Sequence, residues 1–272
     1  MSTIVSIRTV PASEGIGWIK RAFELIRMNP IMVPSSFFLY LLTLLLVQQI
    51  PVIGVLLPGL LVPTLFFGVM AVLRMVAQRE RPSLGVFFSG FSDPTCRSKL
   101  LISGVIYSIG FMCAIAASSL ADGGLLFRAI VLGQAIDPTP VQVPRQTLAQ
   151  LVALIALTPT AACFWIAPQL IAWHGMSVSK ALFFSFFAFW RNILPITTFF
   201  VSIGGMLMGF ALILSALAHL LGAPNILSAL AHLLGAPNAA VNTMVPISLF
   251  VFVVVYAAFY ASYESLVQVK EG

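Results

Sequence analysis

The sequence predicts an all-α integral membrane protein with about six transmembrane helices, and three observations predict it. Of its 272 residues 60% are hydrophobic and only 8% are charged, with a mean hydropathy of +1.05. A soluble domain carries roughly 25% charged residues, so a water-facing surface cannot be assembled from this chain. Several runs exceed the ~18 apolar residues that a span requires, and they are continuous, unlike the alternating strands of a β-barrel. Finally, the cations collect between alternate runs, as they do in multi-pass proteins.

The elements follow in order. Ser13 to Met28 has Ile16, Ile19, Phe23 and Ile26 spaced along one helix face, with Lys20 and Glu24 set for an i, i+4 pair. Pro30 ends it for want of an amide donor. Such an amphipathic helix, with Trp18 among Lys20, Arg21 and Arg27, is expected to lie in the headgroup plane. No cleavable signal is expected, because the first apolar run follows this charged stretch.

Span one covers Ile31 to Val47 and span two Val52 to about Ala77, joined by the uncharged Gln48-Gln49-Ile50-Pro51. A basic segment with Arg79, Arg81, Arg97 and Lys99 precedes span three, about Leu100 to Leu120, which Ala121-Asp122-Gly123-Gly124 stops. Span four runs from about Thr147 to Trp173, with a kink expected from Pro159 and Pro168. Span five begins near Ile193 and holds Gly205-x-x-x-Gly209, a spacing that permits close helix packing. Span six is about Thr243 to Val267. In domain terms, 1–272 is a single membrane domain: an interfacial helix at 13–28, spans one to three in 31–120, a periplasmic loop at 122–146, span four at 147–173, a second interfacial helix at 176–191, and spans five and six in 193–267.

Two repeats stand out. Shifted by 96 positions, Pro63-Thr64 falls on Pro159-Thr160, and Ser83, Phe87, Phe88, Ser89 and Phe91 fall on Ser179, Phe183, Phe184, Ser185 and Phe187. The pattern predicts a repeated unit of membrane helix plus cytoplasmic interfacial helix. Separately, ILSALAHLLGAPN occurs at Ile213 to Asn225 and again at Ile226 to Asn238. This duplicated segment, 213–238, reads as a lengthened loop. His219 and His232 are its matching positions, and with no thiolate or carboxylate nearby they make a poor metal site.

Topology follows from the cations. Arg8, Lys20, Arg21, Arg27, Arg79, Arg81, Arg97, Lys99, Lys180, Arg191 and Lys270 fall on one side, against Arg128 and Arg145 on the other. The bias predicts both termini in the cytoplasm of a bacterial inner membrane. The net charge of +6 then reflects topology and anionic headgroups, not nucleic acid. Expected interfacial anchors are Trp18, Lys20, Arg21, Arg27, Trp173, His174, Lys180, Trp190 and Arg191. Cys96, Cys113 and Cys163 read as packing residues.

Catalytic signatures are sparse: no HExxH, no glycine-rich phosphate loop, no paired Cys motif. No catalytic, cofactor-binding or metal residue is assigned and no cofactor is expected. Arg74 and Glu264 are ionisable groups inside spans at similar depth, a candidate intramembrane pair. The expected role is non-enzymatic: contact with other membrane proteins, with further copies of the chain, or with membrane lipids through the interfacial helices. A transporter or channel for a lipid-like or small apolar molecule is the alternative.

Gly17-Trp18-Ile19-Lys20-Arg21-Ala22-Phe23 with Asn29-Pro30, then Ser119 to Gly124, then His174-Gly175 through Trp190-Arg191-Asn192, resemble an uncharacterised family of inner-membrane proteins from Gram-negative bacteria. The resemblance implies a multi-helix architecture in the cytoplasmic membrane and carries no functional residues with it.

Overall fold

A computed structural model of the chain describes residues 4–51, 53, 54, 56–134, 142–220 and 239–270. Its elements are β1 (Ile4–Ile7), α1 (Glu14–Met28), α2 (Met32–Gln48), α3 (Leu57–Ala77), α4 (Leu84–Phe87), α5 (Ser89–Ser92), α6 (Pro94–Asp122), α7 (Leu125–Leu132), α8 (Gln142–Phe164), α9 (Ala167–His174), α10 (Val178–Arg191), α11 (Ile193–Leu220), α12 (Ala239–Leu266) and β2 (Val267–Lys270). Most of the duplicated segment, including His232, lies outside the described residues; the start of its first copy, with His219, continues α11.

Five helical stretches are long and apolar enough to cross a membrane: Leu57–Ala77, Pro94–Asp122, Pro144–His174, Ile193–Phe210 and Ser248–Leu266. The sixth is α2, which meets α1 at a bend of 101°. Parity supports counting it. β1 and β2 pair antiparallel, Ile4 opposite Lys270 and Ile7 opposite Val267, so the two end segments share one face. An even number of passes is then required, and α2 must go out for α3 to return.

The α2–α3 hairpin is short. The end of the hairpin away from the end segments packs on the middle of α6, where a Cβ on Gly104 would sit 1.9 Å from the Leu60 carbonyl oxygen and one on Gly59 would sit 2.5 Å from Ser108 Oγ. Only a hydrogen at these positions lets the backbones approach this closely. Beyond that level α6 continues and stops at Gly123, whose φ of 68° terminates the helix. The Asp122 carboxylate accepts from the amides of Gly124 and Leu126 at 2.8 and 2.7 Å, which turns the chain into α7. At the other end Asp93 caps α6 by accepting from Thr95 N–H at 2.8 Å and Thr95 Oγ1 at 2.6 Å.

Packing divides the molecule into two halves. The contiguous core gathers Trp18 to Ile26, Leu65 to Val76, Ile166 to Ile171, Phe189 and Val253 to Leu266 near the end segments. The far half is loosely packed: Ile109, Leu120, Leu154, Ile155, Val201, Met208 and Leu212 are all exposed. This is the surface that lipid tails cover, since burial among protein brings helices in lipid no hydrophobic gain.

In the structure α1 seats along α12 and α11. Trp18 meets Ser265, Arg21 meets Glu264, and the Phe23 and Phe250 rings lie 6.4 Å apart, so α1 runs antiparallel to α12. The buried face is Trp18, Ile19, Ala22, Leu25 and Ile26, while Ile16 is exposed and Phe23 half-buried. Ile19 and Ile26 of the predicted face are buried, and α1 also makes a close backbone approach through Gly15. A Cβ on Gly15 would clash with the Pro195 carbonyl oxygen at 2.2 Å. Glu24 pairs with Arg21 at 3.2 Å and not with Lys20.

Of the two prolines expected to break span four, one does: Pro159 lies within α8, while the helix opens between Phe164 and Ala167, with Pro168 in the first turn of α9. The Ser185 hydroxyl sits in the gap. It donates to the Ala162 carbonyl at 2.9 Å and accepts from Ile166 N–H at 3.0 Å. Those two groups are the partners of one ordinary i→i−4 bond, so a side chain from α10 has replaced a rung of the helix ladder. Among the described residues, a Cβ on Gly204, Gly205 or Gly209 would meet nothing within 4 Å.

Candidate functional site at the face of the end segments

The basic helices converge on one face because a few buried polar side chains tie them there. Asn192, fully buried between α10 and α11, accepts from Val10 N–H at 2.9 Å and donates from Nδ2 to the carbonyls of Ala188 at 2.9 Å and Arg8 at 3.1 Å. It fixes the N-terminal segment to the α10–α11 corner, while Arg8 N–H donates to the Leu266 carbonyl at 2.9 Å. The turn after α9 is held from α6: Lys99 Nζ donates to the Gly175 carbonyl at 3.0 Å, and Gly175 has a φ of 65°.

The candidate pair Arg74 and Glu264 is not in direct contact. Glu264 accepts from Arg21 Nε at 3.1 Å, because α1 brings that guanidinium alongside the last turn of α12. Arg74 instead lies over Trp173, its Cζ 4.7 Å from the ring centroid. A cation on a tryptophan face gains about 0.5–2 kcal/mol, depending on how dry the site is. Trp173 is further packed by Phe67 and Tyr263, with centroids at 5.5 and 4.9 Å. His174 Nε2 is 2.8 Å from the Tyr263 hydroxyl.

The predicted anchors therefore divide. Trp18 is a core residue, 2% exposed, and its indole N–H donates to Ser265 Oγ at 2.7 Å; the same position cannot also sit among headgroups. Trp173 and His174 are half-buried in the aromatic cluster. Lys20, Arg27, Lys180, Trp190 and Arg191 are exposed, and Arg21 is engaged by two carboxylates. On α10 the buried face is Ala181, Ser185, Ala188 and Phe189. Its outer face presents Phe183 at 59%, Phe187 at 47% and Trp190 at 51% exposure. Lys180 and Arg191 mark the two ends of that stripe.

In the bundle, Tyr40, Tyr107 and Tyr256 line a cavity of about 220 Å³ with Pro63, Phe66, Trp165 and Pro168. Trp165 N–H donates to Ser262 Oγ at 3.0 Å, locking the broken span to α12. The sequence marks Asn192 only through the family resemblance and Ser185 only through the repeat, and it does not mark this tyrosine set. A lone Asn at the junction of two apolar runs was the available signal for the first. Among the described residues no group of three His, Cys, Asp or Glu could hold a metal ion, and Cys96, Cys113 and Cys163 are free thiols.

These features define a polytopic, all-helical membrane protein whose packed core lies at one face. The chain is 35% identical over 271 residues to a probable inner membrane protein of Burkholderia thailandensis, covering 96% of this chain and 94% of that one. It belongs to that inner-membrane protein family. No family model matches the chain, and no solved structure matches it.

Proposed function

We propose that the protein acts without catalysis at the inner membrane, as a lipid-organising or membrane-protein interaction factor, and that its contact element is α10. The observation that carries this reading is the exposed Phe183, Phe187 and Trp190 stripe between Lys180 and Arg191. Aromatic rings flanked by cations suit the headgroup layer, where the rings bury and the charges meet phosphate. Ser185 and Asn192 hold the helix rigidly, so the stripe is presented and not merely exposed.

The orientation is part of the proposal: the face of the end segments is cytoplasmic, on the strength of the cation bias. The α4–α5 and α10 segments are read as diverged copies of one amphipathic interfacial unit, each folded back on the span before it. Their burial has diverged, since Phe87 is buried and its counterpart Phe183 exposed.

The test uses Trp190 fluorescence, taken as the difference between the wild type and Trp190→Phe in vesicles. The reading expects quenching by lipids brominated near the headgroup. Quenching by aqueous iodide alone would remove α10 from the lipid interface and end this reading.

A second reading, a transporter or channel for a lipid-like or small apolar molecule, is favoured by the tyrosine-lined cavity next to the break in span four. Tyr256→Phe together with Tyr40→Phe should then alter uptake of a fluorescent apolar tracer into proteoliposomes; unchanged uptake would leave the cavity without that role.

A further inference from the structure

We propose that the crevice between α11 and α12 binds one anionic phospholipid, with its acyl chain in the crevice and its phosphate on α1. The crevice has a volume of about 470 Å³ and an apolar wall: Ile203, Leu207 and Phe210 of α11 face Phe250 and Val254 of α12. Phe23 of α1 closes it on the side of the end segments, its ring 6.4 Å from that of Phe250. The crevice thus runs from α1 along α11, away from the basic face and into the loosely packed half that lipid covers.

Charge identifies the occupant. Lys20 and Arg27 lie three residues before and four after Phe23, on the same helix face by the 3.6-residue period. Both are exposed, and neither has an ion pair among the described residues. Glu24, the acid between them, is taken by Arg21. Two uncommitted cations one turn to either side of Phe23, which lines the slot, match a phosphodiester joined to a hydrocarbon chain. The open glycine face of α11 (Gly204, Gly205, Gly209) does not line the crevice. This site involves none of the α10 residues, so it stands or falls separately from the role given to α10.

The experiment is native mass spectrometry of the full chain in mild detergent, titrated in parallel with phosphatidylglycerol and with phosphatidylcholine. One phosphatidylglycerol per chain should be retained in preference to phosphatidylcholine. A basic residue at an anionic surface is worth roughly fivefold, so Lys20→Gln with Arg27→Gln should lower that retention about 30-fold. Leu207→Trp, which fills the slot, should lower retention of both lipids. Equal retention of the two lipids, or retention unchanged in the Lys20/Arg27 double variant, overturns the proposal. A dimer in place of bound lipid, abolished by Leu207→Trp, overturns it in favour of a second copy of the chain. The surface double variant leaves the core untouched and keeps the test decisive if Leu207→Trp fails to fold.

Discussion

Asn192 is the best place to perturb the face of the end segments, because one side chain holds three backbone groups from two parts of the chain. Replacing it with Ala leaves Val10 N–H, in a buried residue, without its 2.9 Å acceptor, and removes the donors to the Arg8 and Ala188 carbonyls. An orphaned buried polar group costs about 1–3 kcal/mol. The Ala188 carbonyl keeps the Asn192 backbone amide at 3.2 Å and Arg8 is exposed, so the main loss is at buried Val10, about 1–3 kcal/mol. For a chain of about this size, 1 kcal/mol moves Tm by roughly 2–4 °C, which predicts a drop of at least about 2 °C. The more specific readout is hydrogen exchange. In Asn192→Ala the amides of Ile4 to Val10 should lose protection while those of α3 and α6 keep theirs. Unchanged protection at Val10 would refute the reasoning, since the bond to Asn192 would then not be what holds the segment.

Other perturbations test the remaining contacts. Gly104→Ala should prevent folding or cost several °C in Tm, because its Cβ would overlap the Leu60 carbonyl, whereas Gly205→Ala should be neutral or stabilise by up to ~1 kcal/mol, glycine being a poor helix former. Thermal unfolding in detergent reads both. Ser185→Ala should cost about 1–3 kcal/mol by unpairing Ala162 O and Ile166 N–H, seen as faster exchange at Ile166. A double-mutant cycle on Arg21 and Glu264 should give a coupling of only ~0.2–1 kcal/mol, since the pair is partly exposed; a value several times larger would mean that the pair is dry. The Thr95 hydroxyl and amide hold the Asp93 carboxyl below its ordinary range. A depressed carboxylate stabilises the folded chain above its unfolded pKa, so the cap of α6 should weaken as pH falls through the folded value. Exchange at Thr95 should rise below about pH 4, and Asp93→Asn should remove that pH dependence.

The spans were legible because a bilayer demands long apolar runs, and the stop at Asp122-Gly123 was legible because glycine alone enters the left-handed region easily. Which face of each span meets protein was not. A helix apolar all round has little amphipathic signal, so lipid-facing Val201 and buried Phe199 look alike in sequence. The charge at Glu264 was visible, but its partner Arg21 lies 243 positions away and Arg74 matched it equally well in depth. The same holds for Ser185: its repeat position was seen, yet nothing local reveals that its hydroxyl stands in for a backbone bond in another helix. In α1 large apolar residues marked the face, but a glycine carries no hydropathy signal, so the close approach at Gly15 was not visible.

The central claim is that α1, α4–α5 and α10 share one face with both end segments, and that this face is cytoplasmic. Cysteine accessibility tests it most directly. In a variant with Cys96, Cys113 and Cys163 replaced, single cysteines at the exposed positions Ser92, Ser179 and Gly133 would be labelled in intact spheroplasts with a membrane-impermeant maleimide. The account predicts labelling at 133 from outside, and at 92 and 179 only after the membrane is permeabilised. Labelling of 92 and 179 from opposite sides, or of either from outside, would contradict it.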